Sequence, residues 1–189
     1  NDDASMPVYE FYNKQNKAYG YSIEETIVQP KEMEIYFPEK KWVKKGIRFW
    51  AFAKKVEGSI PIYQYLDIYS MDYVYSIKDN LHTTSEVFNS GIVFYAYENS
   101  ISDISTPIYS FQNKKTNKTC YSSENNLGRK WQKGSLVFWA FSESIDIDCN
   151  GDINGTSFID DCGVCSGGNS GHNKNSDKDC YGVCFGGAI

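Results

Sequence analysis

PIYSFQNKKTNKTCYSSENNLGRKWQKGSLVFWAF, residues 107–141, is the third copy of one pattern, and its recurrence decides the fold. Each copy opens on Pro-hydrophobic-Tyr: Pro7-Val8-Tyr9, Pro61-Ile62-Tyr63 and Pro107-Ile108-Tyr109. Twelve residues after that tyrosine stands a Tyr-Ser pair, at Tyr21-Ser22, Tyr75-Ser76 and Tyr121-Ser122. Each copy closes with a glycine (Gly46, Gly91, Gly134) followed by Phe-aromatic-Ala-aromatic, at 49–52, 94–97 and 138–141. Equal internal spacing in three successive segments marks a repeat architecture, in which each unit is too small to bury its own apolar face and must share a core with the others.

Working outward from the landmarks, the openings alternate like strands. Tyr9 and Phe11 share a face with Glu10 opposite, and Tyr63/Tyr65 and Tyr109/Phe111 follow the same rule. Proline begins each strand, where its missing N–H costs least. Turn-rich segments then lead to Tyr-Ser, so opening and Tyr-Ser form a hairpin, and a connection of variable length leads to the glycine and the closing strand. Along that strand Ile47/Ile92/Leu136, Phe49/Phe94/Phe138 and Ala51/Ala96/Ala140 form one face, expected to be the core. Trp50/Tyr95/Trp139 and Phe52/Tyr97/Phe141 lie opposite. Helical patterning is confined to one turn at residues 84–88. Three copies are too few for a propeller, which takes about four or more blades. The expected fold is all-β: a pseudo-threefold β-trefoil over residues 1–144, with repeats 7–60, 61–106 and 107–144, followed by a loop-rich segment over 145–189 stabilised by disulfides and calcium.

The motifs P-x-Y-x-F-Y-N (7–13), Tyr-Ser and G-I-x-F-[WY] (46–50 and 91–95) resemble a repeat domain of unknown function. That domain occurs in secreted bacterial and fungal proteins, often appended to hydrolases or surface proteins. The resemblance implies a non-catalytic accessory module directed at cell walls or glycans. Where that family carries arginine after the opening tyrosine, this chain has Glu10, Gln64 and Ser110.

Composition breaks near residue 145. The last 45 residues hold five of the six cysteines, nine of the 15 glycines and seven of the 24 acids, but only Lys174 and Lys178 among the 19 basic residues, so the formal charge of −5 resides in the tail. A segment so poor in apolar residues cannot bury a core, and its cysteines (Cys149, Cys162, Cys165, Cys180 and Cys184) read as disulfide candidates of an extracellular protein. Asp148-Cys149-Asn150-Gly151 recurs 31 residues later as Asp179-Cys180-Tyr181-Gly182. This pattern resembles the Asp/Cys/Gly-rich spacer repeats of large secreted proteins, loosely akin to thrombospondin type-3 calcium repeats. Oxygen-bearing side chains at alternate positions, Asp146, Asp148, Asn150 and Asp152, with glycine at the sixth, suit Ca²⁺, and Asp160 can close the shell. The Cys162-x-x-Cys165 and Cys180/Cys184 spacing also admits zinc, a weaker reading because Cys149 is then left over. Cys120 reads as a lone buried thiol.

Trp50, Tyr95 and Trp139, equivalent positions opposite the inferred core, are the candidate ligand-binding residues, since flat aromatics suit the apolar faces of sugar rings. Catalysis has little support: the two histidines, His82 and His172, lie in different segments, no serine sits in a nucleophile elbow, and Glu24-Glu25 belongs to a loop of one copy. No apolar run is long enough to span a membrane. A neutral body argues against nucleic acid, and the Lys40, Lys41, Lys44, Lys45 cluster reads as a solvated strand end. The expected function is a non-catalytic carbohydrate-binding or adhesion module of a large secreted or cell-surface protein. The alternative is a structural block contacting neighbouring subunits of an extracellular assembly.

Overall fold

The computed structural model describes residues 4–27, 41–81, 87–101 and 103–187. Two compact units emerge: Ser5–Ser144, and Ile145–Ile189 together with Asn1–Ala4. Among the described residues the chain has strands and turns and no α-helix. Residues 84–86 of the expected helical turn lie outside the described residues, and Val87 and Phe88 begin a strand.

Each sequence repeat is one three-stranded unit. The first is β1 (Met6–Asn13), β2 (Tyr19–Ser22) and β3 (Trp42–Ala51); the second is β4 (Ile60–Asp67), β5 (Asp72–Ser76) and β6 (Val87–Ala96); the third is β7 (Ser105–Asn113), β8 (Thr119–Ser122) and β9 (Trp131–Phe141). In each unit the opening strand sits between the other two, antiparallel to both. The first and third units share a curled six-stranded sheet, β2-β1-β3-β9-β7-β8, and the second forms a three-stranded sheet. The closing strands meet at their C-terminal ends through three pairings: Trp50 with Phe141, Phe52 with Tyr95, and Tyr97 with Trp139.

Three buried triangles of rings, each with one ring from each repeat, occupy the interior. Phe49, Phe94 and Phe138 meet edge to face at 5.6–5.8 Å between centroids. Phe52, Tyr97 and Phe141 form the second triangle, and Tyr21, Tyr75 and Tyr121 the third. Edge-to-face contact sets the positive ring edge against the negative face of the next ring, which an aromatic trio can satisfy cyclically. In the tyrosine triangle a polar cycle is added. The N–H of Tyr21 donates to the Tyr75 hydroxyl (2.7 Å), that of Tyr75 to the Tyr121 hydroxyl (2.8 Å), and that of Tyr121 to the Tyr21 hydroxyl (2.8 Å). Burial drives all three hydroxyls above their ordinary pKa, so they stay neutral.

The strand faces correct the sequence expectation. Ile47, Ile92 and Leu136 are not core; they are 52%, 47% and 43% exposed, whereas Phe52, Tyr97 and Phe141 from the supposed outer face are buried. A β-bulge turns Ile47, Ile92 and Leu136 outward. Val8 faces Phe49 but Tyr9 faces Ile47, leaving Arg48 extra, and Val93 and Val137 are extra in the same way in the other copies. One inserted residue flips every side chain beyond it to the other face. A second shift flanks the glycine in each closing strand. Gly46 and Gly91, at φ 129° and 97°, take a backbone conformation that side chains disfavour.

Tyr75→Phe is expected to strand both the Tyr21 N–H and the Gln64 side-chain amide, which also donates to the Tyr75 hydroxyl at 2.7 Å. Two orphaned buried donors should lower stability by roughly 2–4 kcal/mol. Tyr63→Phe, on a half-buried side chain, should stay within about 0.5 kcal/mol. Urea denaturation of the two variants checks the difference, and equal midpoints would refute the role assigned to the ring.

Candidate functional site

Trp50, Tyr95 and Trp139 are half-buried. Each lies across the ladder from the opening proline of its own repeat: Trp50 opposite Pro7, Tyr95 opposite Pro61, Trp139 opposite Pro107. The register thus sets an aromatic ring beside a pyrrolidine three times over. The three residues are also the points where the closing strands cross-pair. The structure therefore places them at equivalent sites on the rim of one ring of strands, not in one pocket.

Two buried ionic groups lie elsewhere in the same unit. Glu10 accepts from the Tyr21 hydroxyl at 2.8 Å and pairs with Arg48 at 2.8 Å. Asp72 accepts the Thr119 N–H at 2.9 Å, and burial pushes its carboxyl up to about 6. Neighbouring Lys118 donates to the carbonyls of Ser70 and Met71. Cys120 is a buried free thiol that burial pushes up to about 12, which makes it a poor nucleophile.

In the tail, aspartates organise three equivalent turns rather than one metal loop. The carboxylates of Asp148, Asp160 and Asp179 each accept two backbone N–H groups through Oδ1: from Asn150 and Asp152, from Cys162 and Val164, and from Tyr181 and Val183. In every turn the glycine three residues on donates its N–H to the aspartate carbonyl. Asp160 Oδ2 accepts in addition from the Asn175 N–H and the Ser166 hydroxyl, both at 2.8 Å. Asp148 Oδ2 accepts from the Ser157 N–H at 2.8 Å, and a Cβ on Gly155 would stand 2.1 Å from that oxygen.

Two of the expected calcium ligands, Asp148 and Asp160, are largely committed to hydrogen bonds within the segment. A carboxylate has about four lone-pair directions; Asp160 has all four occupied, and at Asp148 three are taken while the Gly155 backbone crowds the fourth. Asn150 donates its side-chain amide to Asp152 at 3.1 Å. Among the described residues no group of three or more His, Cys, Asp or Glu is placed to hold a metal. Zinc finds no shared thiolates either: disulfides join Cys149 to Cys165 and Cys162 to Cys184. Cys180, expected in a disulfide, is instead a free exposed thiol. Two shallow cavities, about 410 and 370 Å³, flank the first turn at Asn154–Thr156 and at Asp146–Cys149.

Sequence reading missed one constellation. Ser166 Oγ lies 3.0 Å from His172 Nδ1, and His172 Nε2 lies 3.1 Å from Asp177 and 3.1 Å from Ser176. Only Ser-x5-His-x4-Asp marked it, a spacing without precedent in the elbow motif. The cluster is not arranged for nucleophilic attack, because Ser166 is completely buried and its hydroxyl donates to Asp160. It anchors the loop between the second and third turns. His82 lies outside the described residues.

Residues 7–140 match the family described as a domain of unknown function, DUF5648. No curated protein and no solved structure matches.

The backbone N–H of Asn175 first, then the Ser166 hydroxyl and the remaining turn amides, holds the Asp160 carboxyl down to about 2. A depressed folded pKa adds stability above the unfolded value, near 3.9, that is lost as pH falls through the folded one. The amide NMR signals of Cys162, Val164 and Asn175 should therefore hold from pH 7 to about 4 and move together between about 4 and 2. Calcium or chelator at neutral pH should leave them in place; a calcium-dependent shift at these amides would restore the metal reading.

Proposed function

The chain belongs to the DUF5648 family, and we propose that residues 7–141 are a pseudo-threefold β-trefoil that binds carbohydrate without catalysis, as the head of a large secreted or cell-surface protein. The single observation carrying this is the threefold recurrence of a half-exposed aromatic beside a proline, Trp50/Pro7, Tyr95/Pro61 and Trp139/Pro107. Such a surface is apolar, flat and rigid. It suits the C–H face of a sugar ring, and three copies give avidity for a polymer presenting many equivalent rings. Two disulfides in the tail fit an oxidising, extracellular environment. Among the described residues no helix is long and apolar enough to cross a membrane. The tail serves as a spacer whose rigidity comes from carboxylate-centred turns linked by disulfides.

The second reading, a structural block meeting neighbouring subunits, draws on a different observation. The third tail turn exposes Tyr181, Val183 and Phe185, with Tyr181 83% exposed, and apolar side chains grouped this way mark contact surfaces.

On a glycan array the full chain should retain at least one wall or surface polysaccharide. Trp139→Ala should weaken that binding by about tenfold, the loss of roughly 1–2 kcal/mol of stacking. Tryptophan fluorescence should change on titration with the retained glycan. An empty array together with self-association at micromolar concentration would give the function to the second reading.

A further inference from the structure

Residues 1–144 carry 17 acidic and 17 basic residues, and this balance conceals a strong segregation. Residues 61–106 carry one basic residue against six acids, residues 107–144 carry six against two, and residues 7–60 carry ten against seven. Basic residues also recur at the same ladder positions in two repeats. In the third repeat the Lys114 N–H donates to the Lys130 carbonyl at 2.9 Å, bringing the hairpin turn against the start of the closing strand. Lys133, opposite Phe111 in the ladder, holds its ammonium 3.4 Å from the centroid of Tyr109. In the first repeat the Lys14 N–H donates to the Lys41 carbonyl at 3.1 Å, and Lys44, opposite Phe11, lies 3.4 Å from the centroid of Tyr9. All six lysines are exposed. The second repeat lacks the device: Ile68 stands where Lys14 and Lys114 do, and Asn89 where Lys44 and Lys133 do.

We propose that Lys14, Lys41 and Lys44 in the first repeat, and Lys114, Lys130 and Lys133 in the third, are two copies of a subsite for the carboxylate or sulfate groups of an acidic polysaccharide. The inference rests on the glycan reading above and names the class of glycan. A lysine laid over a tyrosine is held in place by the ring quadrupole, so its charge is positioned before a ligand arrives. The copies differ in strength for a visible reason. Lys44 is paired with Glu25, which neutralises it, whereas Lys133 bonds Asn125 Oδ1 at 3.0 Å, which orients the ammonium and leaves its charge intact. Among the described residues, neither Lys114 nor Lys130 forms an ion pair, and Lys115 and Arg129 beside them are exposed. The third-repeat subsite is therefore the stronger. A continuous phosphate backbone is the poorer partner: it calls for an unbroken basic surface, whereas here two basic patches belong to a unit whose second repeat is acidic. Separated anionic groups on a sugar chain suit two discrete subsites.

The test immobilises alginate, dextran sulfate, neutral dextran and single-stranded oligo-dT, and measures binding of the full chain as salt is raised. Alginate or dextran sulfate should bind, weakening with salt as a few ion contacts are displaced. Lys114→Ala/Lys130→Ala should reduce that binding about tenfold or more, Lys14→Ala/Lys41→Ala by about threefold, and the exposed control Lys55→Ala/Lys78→Ala should leave it unchanged. Polyanion binding that survives both subsite variants overturns the proposal, as does tighter binding to oligo-dT than to either acidic glycan. Binding to neutral dextran, or to a neutral polysaccharide of the array, without binding to either polyanion overturns the acidic subsites and leaves the glycan-binding head standing. Failure on every surface overturns both.

Discussion

Three tyrosine hydroxyls hold the first unit together. Each receives the backbone N–H of a tyrosine in another repeat, and the three bonds close on themselves, so no repeat completes its own interior. A buried N–H without a partner is costly, and here the missing acceptor always comes from a neighbour. This explains why the twelve-residue interval from the opening tyrosine to Tyr-Ser is the same in all three copies while the loops beyond vary: the interval fixes how far each ring reaches toward the pseudo-axis. Against these tyrosines, the Phe49, Phe94 and Phe138 triangle fills the space with rings that need only shape and edge-to-face contact. The remaining polar capacity of the tyrosines is met differently in each copy, by Glu10 at Tyr21 and by Gln64 at Tyr75. Ser110, at the corresponding third position, is too short to do the same and instead donates to the Ser135 carbonyl.

The strand content and the threefold layout were legible because they rest on landmarks whose spacing is fixed by geometry: proline at a strand start, tyrosine in the hairpin, glycine before the closing strand. The facing of the closing strand was not. Strict alternation holds only while every residue has a ladder partner, and Arg48, Val93 and Val137 have none. Nothing in those three residue types announces a bulge, so Ile47, Ile92 and Leu136 look like core from sequence and turn out to face solvent. The same bulge returns Phe49, Phe94 and Phe138 to the interior. The candidate aromatics are half-buried, and the sequence could not show that they also mark where strands of different repeats cross-pair.

In the tail, two of the aspartates read as cation ligands, Asp148 and Asp160, are the centres of hydrogen-bonded turns. Oxygen-bearing side chains at alternate positions read as a cation loop, yet the chain curls so that amide hydrogens, not vacant oxygens, converge on the carboxylates. The turn at Asp160 went unrecognised as a copy of those at Asp148 and Asp179 because its cysteine is displaced by one position, Cys162 against Cys149 and Cys180. The Asp and Gly framework is the true repeat; the cysteines decorate it. Each disulfide then joins one turn to the next, so that covalent links and carboxylate centres alternate along the segment.

The bond from Tyr121 to Tyr21 joins residues 100 positions apart, and this has a kinetic meaning. Closing so long a loop is entropically expensive before any contact rewards it, and contacts of high sequence separation slow folding. Hairpins of single repeats can form and dissolve quickly, but the interior becomes stable only when the first and last copies find each other. The chain therefore crosses its main barrier late, with all three repeats engaged at once. Because the cycle has no privileged starting point, a polypeptide reopened between two repeats and rejoined at its former ends would present the same ring to the same partners.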